Sequence, residues 1–270
     1  MAPFEYHAAT SIGDAAALLS AHPDARLLAG GMTLIPAMKM RLSTPPRLID
    51  LSSVQELRGA RIGNGLLSLG ATTRHAEVAE AAEVRRLIPA LADLAGGIGD
   101  PQVRNRGTIG GSIANNDPAA DYPAALLALG ATVVTNRRSI PADAFFTAMF
   151  ETALQPGEVI TEVSFPVPRS AIYCKFRSLA SRFALVGVFI ARTSTGVRVA
   201  VTGAASCVFR ATAIESALQE RFAVETVDRL RMSSDGFNSD MHGDAEYRAH
   251  LVMVLTRRAV ASLSAAAGGH

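Results

Sequence analysis

At 270 residues, 49% hydrophobic and 19% charged with a formal net charge of +2, the chain is too apolar and too evenly charged for disorder, and its 22 glycines and 13 prolines follow no period. The balanced charge gives no electrostatic case for nucleic acid or a membrane surface as partner. Two cysteines, Cys174 and Cys207, exclude a disulfide framework and a four-cysteine zinc or iron–sulfur site within one chain, so any such cluster needs another subunit.

In chain order, Met1–Glu5 lacks the basic region of a signal peptide, and no apolar run reaches the ~18 residues of a transmembrane segment; the expected location is cytoplasmic. Residues 11–21 predict a helix capped by Ser11, with Asp14 three positions on. A strand at Arg26–Ala29, a helix at Thr33–Leu42 with Pro36 in its first turn, and a strand at Leu48–Leu51 form a β-α-β unit. Gly63-Asn64-Gly65 predicts a hairpin turn within residues 60–71. Helices follow from Arg74 to about Gly96. Residues 97–123, rich in glycine and proline, read as mostly loop, and a loop of that length inside a domain is usually functional. Ala131–Thr135 and Glu158–Phe165 read as strands around a short helix at Asp143–Met149. After Pro166-Val167-Pro168, a linker, come strands at Tyr173–Ser178, Phe183–Arg192 and Val197–Val201, the last two pairing across Ser194-Thr195-Gly196. Helices at 212–221, 224–231 and 244–266 complete the chain, with a polar loop at Ser233–Gly243.

Two segments place a glycine pair between a strand and a helix: Leu28-Ala29-Gly30-Gly31-Met32-Thr33-Leu34-Ile35, and Gly107-Thr108-Ile109-Gly110-Gly111-Ser112-Ile113-Ala114-Asn115. Adjacent glycines let backbone approach a ligand and aim successive N–H groups together, and a helix N-terminus behind them favours an anion. Two such loops suit a diphosphate. Thr33, Thr108 and Ser112 add hydroxyls, and Arg104 and Arg106 could neutralise phosphate. Either loop alone could be an ordinary tight turn. Asp121 is placed to accept from a ribose or adenine, or equally to cap the helix from Tyr122. The pattern is neither G-x-G-x-x-G nor a P-loop, no metal-binding or hydrolase motif occurs, and Cys174 reads as a small core residue.

The runs AGGMTLIPAMKMR (Ala29–Arg41) and VRNRGTIGGSIANNDPAADYPAALLALGA (Val103–Ala131) resemble the two FAD-binding signatures of the flavoprotein (medium) subunits of molybdenum hydroxylases, the carbon monoxide dehydrogenase and xanthine dehydrogenase family. Tyr173–Arg177, Phe183–Val188 and the helix from Asp244 resemble that family's C-terminal domain. The resemblance implies an α+β protein with the vanillyl-alcohol-oxidase-type FAD-binding fold: FAD-binding subdomains at 1–57 and 58–168 and a C-terminal domain at 169–270. It places Leu28, Ala29, Gly30, Gly31, Met32, Thr33 and Leu34 on one side of the FAD pyrophosphate. Thr108, Ile109, Gly110, Gly111, Ser112 and Asn115 fall on the other side, and Asp121 at the adenosine portion. Ile98 and Phe183 fall near the flavin, with Lys175 or Arg177 as its basic contact. Met32-Thr33 and Phe183 depart from the family's usual residues, which bears on the flavin's electronics. No catalytic acid, base or metal ligand is implied in this chain.

The implied activity is electron transfer: a large molybdopterin-binding subunit oxidises substrate, [2Fe-2S] clusters of a small subunit pass electrons on, and FAD here delivers them to an external acceptor, within a dimer of heterotrimers. Arg248, Arg257 and Arg258 are candidates for the partner surface or for a solvated face. The alternatives are a self-contained FAD-dependent reductase of the same fold and a non-redox nucleotide-binding module.

Overall fold

The computed structural model describes residues 1–267. The chain begins with strand β1 (Glu5–Ala8), helix α1 (Ile12–Ala21), strand β2 (Arg26–Leu28), helix α2 (Leu34–Lys39) and strand β3 (Arg47–Asp50). Ser11 caps α1 as expected, its hydroxyl accepting from the Asp14 N–H at 3.0 Å. The β-α-β unit forms with β2 and β3 parallel. The sheet is completed by β1, absent from the sequence reading because all four of its residues are exposed and carry no apolar alternation. A small core of Ala15, Ala25, Ile49, Leu51, Val54 and Leu57 binds this unit to the next through Val159.

Strands β4 (Ala60–Gly63) and β5 (Leu66–Gly70) form the expected hairpin, with Asn64 and Gly65 both at positive φ. Helices α3 (His75–Glu80), α4 (Ala82–Leu87) and α5 (Pro89–Gly96) follow. The glycine-rich stretch is more ordered than expected, with α6 (Pro101–Arg104) capped by Asp100 and α7 (Ile109–Asn115) capped by Thr108. Local side-chain caps overcome the weak helix propensity of glycine there. Then come α8 (Tyr122–Leu129), β6 (Thr132–Thr135), β7 (Ser139–Pro141), β8 (Phe146–Ala148), β9 (Glu151–Thr152) and β10 (Ile160–Pro166). The helix expected at Asp143–Met149 does not form. Phe145 is fully buried in edge-to-face contact with Phe146, and Asn116 donates through Nδ2 to Ala148 O and Glu151 O, each at 2.7 Å, drawing the segment into the β8–β9 hairpin.

β4, β5, β10, β6 and β7 lie in that order in an antiparallel sheet. A second antiparallel sheet holds β11 (Ser170–Arg177), β12 (Ala184–Arg192), β13 (Val197–Thr202) and β14 (Phe209–Arg210). Helix α8 is apolar on every side and buried along its whole length between these sheets, so the two share one core. The other face of the second sheet is covered by α9 (Thr212–Glu220), α10 (Val224–Asp228) and α11 (Ala245–Ala267). Cys174 packs at that core, where burial raises its thiol pKa.

Arg248 is not a surface residue. It is 3% exposed, donating from Nη1 to Leu185 O and Gly203 O at 2.8 Å and from Nη2 to Asp240 at 2.7 Å, so it ties α11 to the sheet. Arg257 and Arg258 are exposed, Arg257 pairing with Asp228.

Candidate functional site

The first glycine loop leaves β2 at Leu28 and enters α2 at Leu34. Gly31 sits at φ +73°, the left-handed conformation that favours glycine, while a Cβ at Gly30 would overlap the Arg106 carbonyl. The two glycine loops therefore touch through Gly30. Among the described residues the backbone N–H groups of Ala29, Gly30, Gly31, Met32 and Thr33 meet no acceptor, and the Thr33 hydroxyl makes no cap bond to α2. Met32 and Thr33 are exposed and Leu34 is half-buried. Five consecutive free donors at a strand–helix turn are the kind of backbone that could accept an anion.

The second loop resembles the first in sequence but differs in structure. Three successive donors are spent inside the chain: Ile109 N–H on Thr73 O at 3.1 Å, Gly110 N–H on Ala71 O at 2.8 Å, and Gly111 N–H on the Thr108 hydroxyl at 3.2 Å. Gly110 is buried, and a Cβ there would lie 2.6 Å from Ala71 O, so this glycine lets α7 dock on the end of β5. Gly111 is exposed, and beyond the capping hydroxyl its nearest neighbour is the Ala29 side chain at 4.0 Å. Gly111 and Ala29 thus leave a floor of small residues beside the free donors. Ser112 and Asn115 lie half-buried further along α7, and Ile109 is buried beneath it.

A buried charged cluster marks another part of the same region. Asp121 is 3% exposed and, contrary to its expected alternative role as helix cap, makes no cap bond and accepts from the chain itself. Tyr173 donates its hydroxyl to Oδ1 at 2.5 Å, and Lys175 Nζ bonds Oδ1 and Oδ2 at 2.9 and 3.1 Å and Gly97 O at 3.2 Å. Burial pushes the Asp121 carboxyl upward, opposed by the Lys175 ammonium and the Tyr173 hydroxyl. Burial and the Asp121 charge push the Tyr173 phenol well above its ordinary value, so it stays a donor. The structure also separates the two basic candidates: Lys175 points inward, whereas Arg177, past a register shift in β11, is exposed. Ile98 is buried in the core beside Gly97 and Gly99, whose carbonyls accept from Lys175 and Arg104; Phe183 is half-exposed at the β11–β12 turn. Residues 97–111 therefore run continuously from Lys175 to Gly30. Tyr173 was missed in the sequence, although its i, i+2 spacing from Lys175 on a strand puts the two on one face.

Under the second loop, His75 packs its ring against Gly107 and 5.4 Å from the ring of Tyr122, and His75 Nδ1 and the Tyr122 hydroxyl are buried without partners. Burial, aided by Arg104, pushes the His75 pKa down to about 4. An unfolded histidine, at roughly 6.5, takes up its proton first, so folded-state stability falls as pH drops from 6.5 towards 4. We expect the wild type to lose about 1.5 kcal/mol relative to His75→Gln between pH 6.5 and 5 in denaturant titrations. Parallel pH profiles would show that His75 is solvated.

The arrangement fits an extended dinucleotide. Free N–H donors and a floor of small residues suit a pyrophosphate, and a cation lies at the other end of the 97–111 segment. Fold and site together define a dinucleotide-binding α+β protein. Residues 2–168 match the family model for the FAD binding domain in molybdopterin dehydrogenase, and residues 173–263 match the CO dehydrogenase flavoprotein C-terminal domain. The carbon monoxide dehydrogenase medium chain of Hydrogenophaga pseudoflava is 35% identical over 274 aligned positions, covering 95% of this chain and 96% of the relative. The xanthine dehydrogenase FAD-binding subunit of Escherichia coli O157:H7 is 27% identical over 283, covering 98% and 97%. Among solved structures, reconstituted CO dehydrogenase from Oligotropha carboxidovorans superposes with a TM-score of 0.91 at 33% identity, covering 96% of this chain and 98% of that one. The chain belongs to the FAD-binding medium subunits of the molybdenum hydroxylase family. No described helix is long and apolar enough to cross a membrane.

Proposed function

We propose that this chain is the electron-transfer subunit of a heteromeric molybdenum hydroxylase, taking electrons from the [2Fe-2S] clusters of a small partner subunit and passing them to an external acceptor. In this reading a large subunit binds the molybdenum cofactor and the complex is a cytoplasmic dimer of heterotrimers. The observation that carries it is the run of free N–H donors from Ala29 to Thr33 against the small-residue floor at Gly111. Bound FAD supplies both one- and two-electron chemistry, which suits an exchange between single-electron clusters and other acceptors. Ala29–Thr33, with Leu28 and Leu34 flanking, hold the pyrophosphate; Thr108 and Gly110 shape α7; Gly111, Ser112 and Asn115 line its exposed side. Lys175 holds its ammonium at the flavin end beside Ile98, with Phe183 at the rim. The division into 1–57, 58–168 and 169–270 belongs to this reading, supported by the three separate main sheets.

The test is purification from the native host. Acid should release FAD, and not FMN, at one per chain, and a molybdenum-containing large chain and an iron–sulfur small chain should copurify. A chain that runs alone and turns over a substrate with FAD as its only redox centre would replace this reading with the self-contained reductase.

A further inference from the structure

The buried cluster contains a residue with no assigned role. Tyr173 lies on β11 opposite Phe189 of β12, stacked on that ring at 6.0 Å and 29°, and its hydroxyl reaches past Phe189 towards Gly187, the partner of Lys175 in the register. A Cβ at Gly187 would overlap that hydroxyl. Glycine in the interior of a central strand is unfavourable and marks a close approach, here the passage of the Tyr173 hydroxyl to Asp121. The stack holds the ring and Gly187 leaves it room.

We infer that Tyr173 is a positioning residue that acts through Asp121 to set how much of the Lys175 positive charge faces the bound flavin. The inference rests on the placement of the flavin against Lys175 proposed above. Asp121 Oδ1 is shared between the Tyr173 hydroxyl and Lys175 Nζ. A neutral donor on that oxygen stabilises part of the carboxylate charge, so Lys175 does not have to neutralise all of it. Without the phenol, the carboxylate has only the ammonium and draws it inward. Less positive charge then faces the cleft, and the reduced flavin, which carries more negative charge, loses stabilisation.

The experiment uses the intact complex and reads the midpoint potential of the bound FAD by redox titration, with flavin content and thermal unfolding measured on the same samples. Tyr173→Phe keeps the ring on Phe189. It should retain flavin and shift the reduction equilibrium about tenfold towards the oxidised form, or ~30 mV for a two-electron couple. Incorporating 3-fluorotyrosine at position 173, a stronger donor in a nearly unchanged shape, should shift it the opposite way, so the result does not depend on the phenylalanine variant folding. Lys175→Met should shift the equilibrium further than Tyr173→Phe, and adding Tyr173→Phe to Lys175→Met should add nothing. An unchanged potential in Lys175→Met would overturn the flavin placement itself. A shift in Lys175→Met with none in either residue 173 variant, additive shifts in the double variant, or lost flavin with unchanged melting in Tyr173→Phe would each overturn the positioning role.

Discussion

Gly110→Val and Gly111→Val, adjacent changes in one helix, are expected to fail in different ways. At Gly110 the branched side chain meets the Ala71 backbone, with the added Cβ 2.6 Å from the carbonyl oxygen that accepts the Gly110 N–H. Neither side can yield without pulling α7 off β5. Overpacking of this kind should cost about 3 kcal/mol, on the order of 10 °C in melting temperature for a chain of this size. At Gly111 the added Cβ lies 2.9 Å from the rotatable Thr108 hydroxyl that caps α7 and otherwise meets only the Ala29 side chain at 4.0 Å, while valine forms helix no worse than glycine. Displacing that cap should cost about 1 kcal/mol, well below the loss at Gly110, with circular dichroism close to wild type, while FAD affinity drops at least ~100-fold, or ~2.8 kcal/mol, because valine fills the floor under the pyrophosphate. Equal flavin content in Gly111→Val and wild type would remove this floor from the site.

Asp121→Ala should be the most damaging change in the buried cluster. It leaves Lys175, whose side chain is 10% exposed, without its counter-ion and the Tyr173 hydroxyl without its acceptor. Breaking a buried pair from one side costs about 3–5 kcal/mol, chiefly from the unpaired charge. Because α8 starts at the next residue and Lys175 and Tyr173 lie on β11, the damage should appear in the core between the two antiparallel sheets. Adding Lys175→Met to Asp121→Ala should recover much of the loss, since no buried charge then lacks a partner. Denaturant unfolding of both single variants and the double variant measures the coupling. Additive losses, or a single-variant loss under 1 kcal/mol, would mean that water screens the pair.

What could be read from the chain was what neighbouring residues determine. Ser11 caps α1 because its hydroxyl needs only an N–H three residues on, and Asn64-Gly65 turns its hairpin because that turn requires two positive φ angles. Both glycine pairs were visible for the same reason, and with their flanking runs they carried the family resemblance, but only the first lies at the expected strand–helix junction: the second follows α6 and sits in the first turn of α7. Tertiary structure alone decided how each glycine is used. Gly30 answers to a carbonyl 76 residues away and Gly110 to Ala71, while the free donors gather in the first loop because the turn after β5 and the Thr108 hydroxyl take those of Ile109, Gly110 and Gly111. The partners of Asp121 lie 52 and 54 positions along the chain, beyond any spacing rule. The different settings of Lys175 and Arg177, one paired with Asp121 and the other exposed, depend on a register shift in β11, and the burial of Arg248 depends on two carbonyls at the edge of a sheet its own helix must first cover. Periodicity predicts which face of an element is apolar. It does not say which distant backbone will press against that face, and at this site that contact sets which groups are left free to hold a ligand.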